Sequence, residues 1–115
     1  MQVKWMKCQG QVWCKLATVD LNHSHFASLS GVYIIWHGGA APTTVYVGQG
    51  SIADSLRSRR TDPQVQQYNS HGLYVTWAAV DPSDRLGVQS YLINKLRPKV
   101  TADISASQIE VNLPW

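Results

Sequence analysis

The sequence predicts a small α+β domain in which a central, mainly antiparallel sheet is flanked by helices. Three observations carry that expectation. Residues 32–36 and 43–47 are rich in β-branched and aromatic side chains and are separated by Gly38, Gly39 and Pro42, the pattern of an antiparallel hairpin. After Gly48 the spacing becomes helical, with Ile52 and Leu56 four apart. A third strand-like run, "LYVTWAAV", gives way to Asp81-Pro82-Ser83-Asp84 and then to Val88, Leu92 and Leu96, again four apart.

In chain order, "QVWCKLATV" (11–19) reads as a strand, followed by the polar connection "DLNHSHFASLS", from which Phe26 and Leu29 dip into the core. Cys8 and Cys14 fall within one short strand-like segment, a poor disulfide framework without the paired spacing of a zinc site, so both are expected as buried or half-buried free thiols. The hairpin loop is expected to span about six residues. Ser51 caps the first helix and Asp54 sits in its first turn, where the macrodipole favours an acid; the helix ends near Thr61-Asp62-Pro63. For the second long helix, Asp81 suits the N-cap, Pro82 the first helical position and Asp84 the third site of a capping box. That helix runs to about Leu96, and Pro98 stops it. The tail "QIEVNLPW" adds an edge strand or lies across the sheet, anchored by Trp115. The five tryptophans read as core and edge anchors rather than as stacking platforms.

A chain of 115 residues is long enough for one core, so residues 1–115 are expected as a single domain. With 44% apolar and 15% charged residues, the composition excludes a disordered polyampholyte. No apolar run approaches the ~18 residues of a membrane span, and "MQVKWMKCQGQVWCK" is too polar for a signal-peptide core. A cytoplasmic protein without a membrane partner is expected. The formal charge of +3 suits a polyanionic partner. Arg57, Arg59 and Arg60 form one basic group, and Lys95, Arg97 and Lys99 a second; taken alone, each reads as a solvated face.

Gly31-Val32-Tyr33 and Tyr46-Val47-Gly48 resemble the two halves of the GIY-YIG signature, which names a superfamily of metal-dependent nucleases. The strand-loop-strand context, the following Gln49-Gly50 and a helix directly afterwards agree with it. Moreover, "GVYIIWHGG", "VYVGQG", "LYVTWA", "GVQSYL" and "VNLPW" look like a compact stand-alone branch of small bacterial members, which extends the resemblance over nearly the whole chain. The resemblance implies a GIY-YIG-like α+β fold and single-metal phosphodiester hydrolysis. In that chemistry two tyrosines, here Tyr33 and Tyr46, position and deprotonate water, an arginine holds the phosphate, and a glutamate binds Mg²⁺ or Mn²⁺. Gly48 permits the close backbone approach and the turn into the helix.

The charged positions of that pattern are changed. Ser55 stands where the resemblance implies the arginine, and Gln89 stands where it implies the metal-binding glutamate. A neutral carboxamide is a weak ligand for a hard divalent cation. Arg59, four residues beyond Ser55, shares its helical face and is the candidate substitute. Three readings follow. The first is a degenerate nuclease site that still binds nucleic acid, DNA ahead of RNA, through Arg57, Arg59, Arg60 and Lys95, with no cofactor. The second is an active endonuclease using Arg59 and Mg²⁺ or Mn²⁺. The third is a protein-interaction module on the same fold. His37 is placed near the pocket mouth and Asn112 is a further candidate for facing the site; His23, His25 and His71 have no metal-site spacing.

Overall fold

The computed structural model describes residues 1–38, 42–100 and 106–115, and the hairpin organises it. Its strands, β2 (Ser30–His37) and β3 (Thr43–Ser51), extend beyond the runs that announce them. They pair antiparallel, with Tyr33 opposite Gly48 and Ile35 opposite Tyr46. The register then slips, Trp36 facing Thr44, so Val45 is the extra residue of a bulge. Gly39, expected to break the hairpin, lies outside the described residues. A strand β4 (Leu73–Ala79) pairs with the other side of β2, and a short β1 (Cys14–Lys15) pairs with β4. The result is an α+β domain whose four-stranded antiparallel sheet has the order β1-β4-β2-β3, with three α-helices among the described residues.

Helices cover both faces of this sheet, which is why β2 is buried along nearly its whole length instead of in alternation. On one face Tyr33, Ile35 and Trp77 pack against Ile52 and Leu56 of α1 (Ile52–Arg60) and Val65 of α2 (Pro63–Gln66). On the other, Val32, Ile34 and Val47 pack against Val88 and Leu92 of α3 (Arg85–Leu96). Leu56, Val88 and Leu92 are fully buried; each such side chain contributes about 2 kcal/mol through lost apolar exposure.

The expected strand over 11–19 is reduced to Cys14–Lys15. Gly10 and Gln11 both adopt positive φ, 80° and 60°, and turn the chain back so that the Cys8 N–H donates to Val12 O at 2.8 Å. That reversal brings the Cys8 and Cys14 Cα atoms to 5.1 Å, and the two residues form a disulfide instead of the free thiols expected. A straight strand would have kept them roughly 20 Å apart. Closing so short a loop stabilises the fold by about 2 kcal/mol. Disulfides persist in oxidising compartments and are rare in the cytosol, so this bond weighs against the cytoplasmic expectation. No helix among the described residues is long and apolar enough to cross a membrane.

Two helix starts also differ from expectation. Ser51 occupies the N-cap position of α1, but its side chain makes no capping hydrogen bond. Helix α3 begins at Arg85 and not at Pro82, because the Asp84 N–H donates to Asp81 O at 2.9 Å and closes a turn over 81–84, leaving Asp84 as the N-cap. Its C-cap is Arg97 in the left-handed region, directly before Pro98. The tail forms no edge strand among its described residues, 106–115; it crosses α3, where the Ile109 N–H donates to Gly87 O at 3.0 Å. Asn112, a candidate for the site, instead clamps the N-terminal segment. Its Oδ1 accepts from the Val3 N–H at 2.7 Å, its Nδ2 donates to Val3 O, and its carbonyl accepts from the Trp5 indole at 2.8 Å.

Candidate functional site

The hairpin register explains why the two tyrosines meet. Tyr46 faces Ile35, two residues along β2 from Tyr33, so both side chains stand on the face that α1 covers. Their rings stack at 5.9 Å between centroids and 21° between planes. Gly48 makes this possible. A Cβ there would lie 2.3 Å from both Cζ and Oη of Tyr33, so only a residue without one lets the Tyr33 ring cross β3. The turn toward the helix, which the sequence assigned to Gly48, falls to Gly50 at φ 121°.

Because α1 starts directly after β3, its first two turns overhang the tyrosines. Ser55 and Arg59 line one cavity of about 280 Å³ together with Tyr33, Tyr46 and Asp54. The Arg59 guanidinium lies 4.7 Å from the Tyr46 ring centroid, and its Nη1 lies 3.0 Å from Asp62 Oδ2. Arg59 Nε is buried with no acceptor among the described residues. Burial, and then the Tyr46 phenol, push the Tyr33 pKa well above the usual tyrosine value, more than the Arg59 charge and the Ser55 hydroxyl lower it. A phenol in that state donates a hydrogen bond and is a poor base.

The other sequence candidates are dispersed. Arg57 pairs with Asp54 at 3.2 Å and donates to Leu21 O and Asn22 Oδ1, and Arg60 donates to Leu16 O and Val19 O. Both arginines fasten the 16–22 loop to α1, in place of the open phosphate-binding face expected for them. Lys95 is on α3, on the opposite side of the sheet, at the rim of a different cleft. Gln89 is absent from the tyrosine cavity. It is 4% exposed and its Nε2 donates to Val47 O of β3 at 3.1 Å, while its Oε1 is buried without a partner among the described residues. His37, expected near the pocket mouth, lies at the far end of β2, stacked on Tyr68 at 5.7 Å and beside His71. Burial, then the positive fields of His71 and Lys99, lower its pKa. Asp54 and Asp62 are additions to the site. Asp62, three residues from Arg59, carried an ion-pair spacing that pointed to it.

The donor set does not fit Mg²⁺ or Mn²⁺. Its two carboxylates are each paired, Asp54 with Arg57 and Asp62 with Arg59, and Tyr33 keeps its proton. Among the described residues no three His, Cys, Asp or Glu side chains are grouped to hold a metal ion. Beside Asp54, the cavity offers a guanidinium, two phenols and a hydroxyl, groups that can meet an anionic oxygen. Compared with protein-family models, curated proteins and solved structures, the chain shows no significant match.

Proposed function

We propose that this chain is a GIY-YIG-like domain with a degenerate nuclease site, one that binds nucleic-acid phosphates without hydrolysing them. The observation that supports this reading is the convergence of Tyr33, Tyr46 and Arg59 on one cavity in which the Tyr33 phenol is held protonated. A phosphate oxygen there accepts hydrogen bonds from the phenols and meets the Arg59 charge, while no group is poised to deprotonate water. Arg59 substitutes for the arginine expected at Ser55 because the two share a helical face one turn apart.

Binding of labelled oligonucleotides across a salt series tests the reading. Arg59→Ala is expected to weaken affinity about tenfold, since a hydrogen bond to a charged group contributes roughly 1.5–3 kcal/mol. The slope of log affinity against log salt should become shallower by about 0.7 to 0.9, as for one lost phosphate contact. Arg57→Ala, which loosens the 16–22 loop, is expected to lower thermal stability and leave the slope unchanged. Equal binding by wild type and Arg59→Ala would favour the protein-interaction reading.

A further inference from the structure

A second cleft, of about 670 Å³, opens between Trp36 and Tyr74 of the sheet, Lys95 of α3, and Trp13 and Trp115. Its aromatic walls belong to the core on the α3 face, away from the tyrosine cavity. Trp36 is the hub. It packs edge-on against Trp13 at 5.3 Å and Trp115 at 5.1 Å, and stacks on Tyr74 at 5.9 Å. Trp36 is 8% exposed, whereas Trp115 is 58% exposed, so a fixed aromatic floor carries an accessible ring at its mouth. Trp5 and Trp77 donate their indole N–H groups to Asn112 O and His25 Nε2.

We propose that this cleft holds an unstacked base of single-stranded nucleic acid against Trp115, with the adjoining phosphate at Lys95. Charge and chemistry single out this occupant. Lys95 is exposed at the rim, and no Asp or Glu side chain lines the cleft among the described residues. A neutral sugar also stacks on tryptophan, but it brings no anion for Lys95. A base supplies a π face for the exposed indole, and its backbone supplies the anion for Lys95. A duplex keeps its bases stacked and is excluded from such a contact. The inference stands apart from the tyrosine cavity, since a base site here requires nothing of Arg59.

The test is a titration of a labelled ten-nucleotide oligothymidylate with wild type, Trp115→Ala, Trp115→Phe and Lys95→Ala, each also melted thermally. Trp115→Ala should weaken binding by about tenfold or more, the loss of one stacked base. Trp115→Phe should retain most of the affinity because the π face remains, and it serves as the folded comparison if Trp115→Ala melts early. Lys95→Ala should make the salt slope shallower by about 0.7. Arg59→Ala read in the same assay reports on the tyrosine cavity alone. The proposal is overturned if wild type fails to bind the oligothymidylate, if Trp115→Ala binds like wild type, if duplex competes equally, or if a neutral oligosaccharide binds in its place.

Discussion

Gln89→Glu is expected to destabilise the domain by about 3–5 kcal/mol at neutral pH, the usual cost of a buried charge without a partner. Gln89 is 4% exposed, and its Nε2 is the donor that Val47 O receives. Glutamate removes that donor and sets a carboxylate against a carbonyl oxygen, beside a position where the present Oε1 already lacks a partner among the described residues. The effect carries a pH signature. Burial raises the folded-state pKa of the new carboxyl above its unfolded value of about 4.3. Stability is therefore preserved while the group is protonated and falls as pH rises from that value toward the raised pKa, as extra ionisation favours the unfolded chain. Urea unfolding at pH 4 and pH 7 should show the larger loss at pH 7, and Mn²⁺ should not restore it. Stabilisation by Mn²⁺ would show that position 89 belongs to a metal site.

Gly48→Ala is expected to cost about 1–3 kcal/mol, the range for overpacking a filled interior. Its Cβ would stand 2.3 Å from the end of the Tyr33 ring, and Tyr33, 3% exposed and stacked on Tyr46, has little room to retreat. The variant should lose oligonucleotide affinity together with stability, because displacing Tyr33 opens the cavity. A double-mutant cycle isolates the cause: in a Tyr33→Ala background the same substitution should cost close to nothing. An unchanged cost in that background would assign the glycine to backbone geometry and not to the ring that crosses it.

The hairpin and α1 were legible because each has a local signal. Alternation and the Gly38 and Pro42 breaks mark β2 and β3, and their register alone puts Tyr33 and Tyr46 on one face. The spacing of four between Ser55 and Arg59 likewise needs no tertiary information. What failed depended on contacts between distant segments. The turn at Gly10 and Gln11 hid in a run that otherwise alternates like a strand, and the disulfide went with it. Asp81-Pro82-Ser83-Asp84 satisfies a capping box and a free-standing turn equally well, and the chain takes the turn. Arg57 and Arg60 look like a charged face until the loop whose carbonyls they bind is folded beside them. Gln89 lies next to Val88 on the buried side of α3, but the sequence does not say which sheet face that helix covers. Lys95 was grouped with the arginines by charge and is separated from them by the sheet.

The central claim is that the site kept its anion-binding shape and lost its chemistry. Incubation of purified wild-type protein with labelled single-stranded and branched DNA, with and without Mn²⁺, tests it most directly. The account predicts salt-sensitive binding and no metal-dependent cleavage above background. Robust Mn²⁺-dependent cleavage that survives stringent purification and disappears in Tyr33→Phe would contradict it.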